Sequence, residues 1–541
     1  MQTIRQNIIL LILLHLINNV STTDYLGNSK QHTTVPDDIP TGTTVIYLDK
    51  NKITSINEND FKSMPTLKKV HLVNNSISYV SEDSFDGSPV EYLDLSGNQQ
   101  LKTVPNVKYV KSSLTTLKLD ACSLNMTSNQ AFIYNNLEYL SMSHNPMTVL
   151  PDISLMNRTL HTLYIRYCKI SQIPADYFKG FVKLNELKLG YNDISEIVDF
   201  TFKDMKSLRF LKLENNEKLV TIHPRAFDGL TMMQFLYMIL CNLTKIPDVS
   251  SMPRLTQLHL DGNRLSYIPK GHFKNNSLVQ LTLNNNKLVE MPDLTGACSS
   301  LEMLDLKVNQ IPSIAEGYFK DCPKLQELRL ERNLLSSVSS ISELGSSLKI
   351  LYLSKNRITS IESTDFKNLT NLSILFVYNN QIDKFDARVF ENVPSLVTLH
   401  LAGNNLASLD SPYKWCADVS CRDLEIILKT NPIVCDSKLC WAKRYPTMIS
   451  VSADSCLGKP WSAVTLQDLA CEEVFEMKAT SWTGSFLGFR PNPPLKTKKM
   501  LFTNLPSHKY CAFWCAEKGC SNFKHSPFDK HSELGECIIH L

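Results

Sequence analysis

The chain has 541 residues, of which 43% are hydrophobic and 20% charged, and its formal net charge at pH 7 is +3. That near-neutral balance argues against a nucleic-acid binder, and the composition is that of an ordinary folded protein. Its 15 cysteines invite disulfide pairing in an oxidising compartment.

In chain order, residues 1–22 read first, as a secretory signal. Arg5 supplies a positive start, and the apolar run IILLILLHLI at 8–17 is too short to span a bilayer. Val20 and Thr22 suit cleavage near Thr23; an uncleaved anchor is the alternative. No later stretch reaches the roughly 18 apolar residues of a spanning helix, and the final CIIHL lacks a lipid-anchor pattern. The mature chain is therefore expected to be secreted, extracellular and not inserted in a membrane. N-x-S/T sequons at Asn74, Asn125, Asn157, Asn242, Asn275, Asn368 and Asn371 are the expected glycosylation sites.

From near Thr43 to Leu406 the pattern L-x-x-L-x-L-x-x-N-x-L recurs in sixteen copies, about every 24 residues. LKKVHLVNNSI at 67–77, LNELKLGYNDI at 184–194, LTQLHLDGNRL at 255–265 and LVTLHLAGNNL at 396–406 show it clearly. In the copy at 184–207, Leu184, Leu187 and Leu189 point inward, while Asn192 turns the chain and satisfies backbone groups of neighbouring coils. Stacked, these asparagines form a ladder. Ten coils add a Phe, from Phe61 to Phe390, expected to stack into a spine. Five shorter coils, with segments from Val104, Leu150, Ile246, Met291 and Val338, lack it; their prolines suit an extended or turn-rich far side. Cys122, Cys168 and Cys241 occupy the Asn slot and are expected to be buried free thiols. Cys298 and Cys322 sit one repeat apart, and strands stacked ~4.8 Å apart bring their Cα atoms within disulfide range.

Over about residues 36–410 these repeats resemble the extracellular leucine-rich repeat family of animals. The segment VPDDIPTGTTVIYLDKNKI at 35–53 resembles the end of that family's N-terminal cap, although no cysteine precedes Cys122. NPIVCDSKLCW at 431–441, with Cys435, Cys440, Cys456 and Cys471, resembles its cysteine-rich C-terminal cap, and Cys416 and Cys421 look like an extra bridged loop. In the tail, Cys511, Cys515, Cys520, Phe523 and Cys537 resemble a PAN/apple domain. That resemblance implies the pairs Cys511–Cys537 and Cys515–Cys520, and binding of proteins or carbohydrates. The expected fold class is α/β: a solenoid with a curved parallel sheet on its concave face and an irregular or short-helical convex side, a small disulfide-rich cap, and a small α+β PAN/apple-like domain. The expected boundaries are 1–22 for the signal, 23–410 for the solenoid, 411–473 for the cap and 474–541 for the PAN/apple-like domain.

Catalytic signatures such as G-x-S-x-G, H-E-x-x-H, a P-loop or G-x-G-x-x-G are lacking, so a non-enzymatic protein without cofactor or metal is expected. His71, His259 and His400 share one strand position and read as solvated surface histidines. Outward strand positions carry aromatics from the fifth to the ninth repeat: Tyr139, Tyr164, Tyr167, Tyr191, Phe210, Phe235 and Tyr237, joined by Ile239 and Leu240. Arg166, Lys188, Arg209 and Lys212 flank them as a basic rim, and Tyr352, Phe376 and Tyr378 form a smaller cluster. Exposed aromatic clusters mark interaction sites. The alternative is that the rings only cover neighbouring strands. The leading expectation is a secreted recognition or adhesion protein that grips a protein or glycoprotein, carbohydrate included, with a second contact from the tail. A structural matrix component and a truncated receptor ectodomain are the alternatives.

Overall fold

The structure is a computed structural model that describes residues 24–125, 132–411, 424–444, 449–452, 455–456, 459–469, 471, 474–477, 499–505, 522–527 and 535–540; from 499 onward, as at 449–456 and 474–477, it describes backbone only. The signal at 1–22 and residues Cys416, Cys421, Cys511, Cys515 and Cys520 lie outside these. The chain divides into two compact units, one of Met1–Leu281 with Asp293–Ala297, the other of Thr282–Pro292 with Cys298–Leu541.

Each unit is built from the same coil. Sixteen three-residue strands, from Val45–Tyr47 to Thr398–His400, match the sixteen sequence copies. In the first unit, Asp24–Leu26 pairs in parallel with Val45–Tyr47, and the pairing continues in register to Gln257–His259. Asp24–Leu26 thus covers the first coil's edge without a disulfide. In the second unit the parallel sheet runs from Met303–Asp305 to Thr398–His400 and then through Leu424–Ile427 and Ile449–Ser452. Solenoid pairing therefore extends past the expected boundary at 410, and Asn431 continues the ladder by accepting from Leu406 N–H at 3.0 Å. The central residue of the strands is apolar and buried: Leu187, Leu211, Leu236 and Leu258 are 0% exposed.

The α/β class needs correction. The far side holds two-residue strands and 3₁₀ turns such as Lys108–Val110, Ser154–Met156 and Ala387–Glu391, and the one α-helix among the described residues is Cys440–Arg444. The reason is room: a coil of about 24 residues spends most of its length on the strand and two turns, and Pro105, Pro151, Pro247 and Pro292 remove helical donors. The fold is a parallel β-solenoid.

The asparagine ladder carries the turns. Asn216, fully buried, donates from Nδ2 to the carbonyls of Leu189 (3.1 Å) and Leu213 (2.8 Å), and its Oδ1 accepts from Ile194 N–H at 3.1 Å. Asn192, Asn263, Asn333, Asn380 and Asn404 repeat the pattern. The residue before each ladder position has left-handed backbone, with φ from 51° to 79° from Lys50 to Gly403. For non-glycine residues such as Tyr167, Leu240 and Val308 this costs roughly 1–2 kcal/mol each, which the ladder bonds offset.

Two of the three cysteine slots, Cys122 and Cys241, have a physical explanation that lies one coil upstream. A Cys can donate but offers little as an acceptor: Cys122 Sγ donates to Leu95 O at 3.4 Å and Cys241 Sγ to Leu213 O at 3.4 Å. The coils preceding Cys122 and Cys241 each carry one extra residue, N-Q-Q-L and N-E-K-L. That residue lets Leu101 N–H reach Asn98 O (3.0 Å) and Leu219 N–H reach Asn216 O (2.9 Å), so neither needs a ladder acceptor. All three thiols are free and buried; burial pushes Cys122 and Cys241 up to about 12 and Cys168 to about 11. Thiolate is the reactive form, so alkylation of the native chain at pH 8 should leave Cys122, Cys168 and Cys241 unmodified by mass spectrometry and label all three after denaturation.

Cys298 and Cys322 form the expected inter-coil disulfide, with Cα atoms 4.3 Å apart. Cys440 pairs with Cys471, and Cys435 is also disulfide-bonded. The phenylalanine spine is broken rather than continuous: Phe61–Phe85 stack at 5.1 Å, and Phe178–Phe202–Phe227 at 5.8 Å per step. The shorter coils interrupt it. In the tail, Val474–Met477, Lys499–Leu505, Asn522–Pro527 and Gly535–His540 make a mixed four-stranded sheet, with Cys537 on its last strand.

Candidate functional site

Successive copies of one strand position lie side by side in a parallel register, so side chains at that position form rows across the sheet. In the first unit, two outward positions per strand build one row. Tyr47 and His71 stack at 4.7 Å, and His71 and Tyr92 approach at 4.8 Å. Lys118 Nζ then lies between the rings of Tyr92 (5.4 Å) and Tyr139 (5.7 Å), and Tyr139 meets Tyr164 edge-on at 5.4 Å. Lys188 Nζ bridges Tyr164 (4.0 Å) and Phe210 (5.7 Å), and Phe210 packs on Phe235 (5.5 Å) and Tyr237 (5.4 Å). Lys212 Nζ caps Tyr237 at 4.7 Å, and Tyr237 stacks flat on His259 at 4.4 Å. Three ammonium groups, of Lys118, Lys188 and Lys212, are interleaved with the rings, each lysine–ring contact a cation–π attraction of roughly 0.5–2 kcal/mol depending on desolvation.

A second row runs along the left-handed turns. His144 stacks on Tyr167 at 4.3 Å, and Tyr167 on Tyr191 at 4.0 Å; Arg166 lies 5.2 Å and 5.3 Å from those two rings. Tyr167 and Tyr191 thus occupy turns just past their strands (φ 53° and 58°). Tyr167 is 40% exposed, as is Leu240 at 45%, while the strand-borne rings are half-buried against one another.

Two of the four rim cations, Arg166 and Lys188, are compensated. Arg166 Nη2 lies 3.0 Å from Glu214 Oε1, and Lys188 Nζ 2.7 Å from Glu186 Oε1. Burial and the bond to Glu186 raise the Tyr164 phenol. Burial likewise pushes Tyr139 up to about 12, so both rings are neutral hydrogen-bonding groups at neutral pH. Glu214 has room because residue 190 is glycine: a Cβ there would lie 2.7 Å from Glu214 Cδ and 2.8 Å from its backbone oxygen. Gly190→Ala should therefore destabilise by about 1–3 kcal/mol in a denaturant melt and detach Arg166 from Glu214.

The histidines differ from the surface reading. His259 is 9% exposed, and burial with nearby Lys212 lowers it to about 4. At pH 7 it is a neutral ring stacked on Tyr237, so its 4.0 Å approach to Asp261 is not an ion pair. Burial also lowers His71 and His400. Tyr47, Tyr92, Lys118 and His144 escaped the sequence argument, though each occupies a position already picked out in neighbouring repeats, whereas His71 and His259 were placed on the strand but read as solvated. In the second unit, Arg329, Tyr352, Phe376, Tyr378 and His400 form a comparable group, with Tyr352–Phe376 at 5.2 Å and Tyr378–His400 at 4.8 Å. The Asn of the sequons at Asn74, Asn125, Asn275, Asn368 and Asn371 is exposed, and Asn157 and Asn242 are half-buried.

The leucine rich repeat family matches residues 41–99, 158–217, 192–243, 253–311, 277–335 and 346–406, together more than half of the chain. The protein belongs to that family. Its relatives include podocan of Mus musculus, 27% identical over 360 residues covering 59% of this chain and 57% of podocan. Tsukushi of Gallus gallus is 30% identical over 275 residues, covering 49% of this chain and 68% of tsukushi. Lumican of Gallus gallus is 30% identical over 228 residues, covering 40% of this chain and 63% of lumican. The matches to podocan and lumican thus span less than two thirds of those proteins. The structure of the Toll–Spatzle complex from Drosophila superposes with a TM-score of 0.54 at 17% identity, over 83% of this chain and 72% of that one, a likeness of fold alone. Among the described residues no helix is long and apolar enough to cross a membrane.

Proposed function

We propose that the protein is a secreted, non-enzymatic recognition or adhesion protein that binds a protein or glycoprotein through the aromatic face of its first unit. The observation that carries the reading is the Tyr164–Phe210–Phe235–Tyr237 group with its capping lysines. Rings already held against neighbours lose little side-chain freedom on binding, and aromatic and basic anchors dominate interface energetics. Membership of the leucine-rich repeat family and relatedness to podocan, tsukushi and lumican support an extracellular, non-catalytic role. The exposed sequons would carry glycans. Residues 411–473 act as a cap, and 474–541 as a PAN/apple-like module giving a second contact; their cysteine pattern supports this reading.

The test is affinity capture of extracellular proteins and glycans by the mature glycosylated chain, beside a Phe210→Ala/Phe235→Ala/Tyr237→Ala variant. A partner held by the first and weakened roughly a hundredfold or more by the triple change, with the variant's thermal melt still cooperative, supports the reading. Equal capture by both would move the site elsewhere on the chain. Retention of the chain only by itself would favour the structural-matrix alternative.

A further inference from the structure

We propose that Lys212 anchors an anion subsite within the aromatic face, and that the partner there is a protein segment presenting an Asp or Glu side chain beside an apolar residue. The inference rests on the recognition reading above and deepens it. Other cations reaching the two rows are balanced within the chain: Lys118 Nζ lies 3.9 Å from Asp94, Arg166 3.0 Å from Glu214, and Lys188 2.7 Å from Glu186. Lys212 has no such counter-ion among the described residues. Its Nζ lies 4.7 Å from the Tyr237 ring and 5.4 Å from the Phe210 ring.

The surroundings make that charge count. Lys188 and Lys212 are register partners on adjacent strands, so their ammonium groups flank the single ring of Phe210. Glu186 is engaged by Lys188, and Glu214 by Arg166. Exposed Arg209 immediately precedes Phe210. The patch around Phe210 is thus apolar with a net positive charge, and its one uncompensated ammonium is half-buried between rings. Cation–π contacts replace only part of the hydration such a group loses; a carboxylate from a partner would supply a charge-assisted hydrogen bond in a site the rings shield from water. A polyanionic polysaccharide is the poorer fit. It gains from a run of free cations, whereas here the neighbouring Lys118, Arg166 and Lys188 are already paired. A single lysine lying against the Tyr237 and Phe210 rings, with Phe235 packed on Phe210, suits one carboxylate flanked by apolar surface.

The experiment selects a random-peptide display library on the whole glycosylated chain, on Lys212→Gln, and on the triple Phe210/Phe235/Tyr237 alanine variant, with retention on heparin measured in parallel. Peptides enriched on the native chain are then titrated against all three, along with counterparts carrying Asn for Asp or Gln for Glu. The expected result is enrichment of an acidic residue next to an apolar one. Lys212→Gln should weaken binding at least about tenfold, and the amide counterparts should lose about as much on the native chain yet little more on Lys212→Gln. Peptides that depend on the three rings but ignore Lys212 overturn the anion subsite and leave the recognition reading standing. Peptides indifferent to both sets of changes overturn both. No enrichment above Lys212→Gln, or heparin retention that depends on Lys212 without peptide enrichment, also overturns the proposal, the latter in favour of a polysaccharide.

Discussion

Phe202→Ala is expected to cost about 3–5 kcal/mol, the range for emptying a large buried aromatic site. The ring is 0% exposed and is held between Phe178 and Phe227, 5.8 Å away on either side. Neither neighbour can close the gap, because each sits in its own coil, fixed by strand pairing through Thr162–Tyr164, Glu186–Lys188 and Phe210–Lys212. The loss should be local as well as global, since each coil of a solenoid draws its stability from its neighbours. Hydrogen exchange should show amide protection falling first between residues 178 and 227, together with a lower urea midpoint. Unchanged protection across those coils would mean that the stack contributes nothing beyond shape. Phe210→Ala, half-buried on the sheet face, should perturb exchange far less. That contrast separates the core ring from the candidate binding ring in the same coils.

Asn216→Ala is expected to be nearly as damaging, at about 3 kcal/mol or more. The substitution removes three buried hydrogen bonds: Ile194 N–H is left unsatisfied, at roughly 1–3 kcal/mol, and the two bonds lost at Leu189 O and Leu213 O, which still accept from Asn192 Nδ2 and Cys241 Sγ, add about 1 kcal/mol each. Asn216→Cys should recover only part of this. A thiol can donate toward Leu189, but Ile194 would still lack its acceptor, because the coil at 192–197 has no extra residue to turn that N–H inward. Cys241→Ala should be milder than either, since Leu219 N–H already bonds to Asn216 O. If the three variants melt alike, the ladder account fails. Differential scanning fluorimetry at one pH suffices to rank them.

How far the site was legible follows from the same geometry. The aromatics of the fifth to ninth repeats could be picked out because outward strand positions follow from the repeat pattern, and the structure does bring Tyr139, Tyr164, Phe210, Phe235 and Tyr237 into one row. Tyr167 and Tyr191 fall instead on left-handed turns beyond their strands, which end at Tyr164 and Lys188, where the ladder imposes positive φ. The rim could be named from the sequence but its partners could not: Arg166 finds Glu214, which is 48 residues away in sequence and two coils along. His259 read as a surface group, and the ring of Tyr237 buries it.

The repeat pattern by itself determined the coil, the sixteen strands and their register, the asparagine ladder and the Cys298–Cys322 bridge. All of these follow from a local pattern repeated at a fixed spacing, so one coil's geometry dictates the next. Tertiary structure alone decided which charges are compensated and how deeply the face rings and His259 are buried against one another. Those outcomes depend on side chains from different coils meeting at distances of about 4–6 Å, and on whether a neighbour one or two coils away supplies a carboxylate, a ring or only a glycine's empty space.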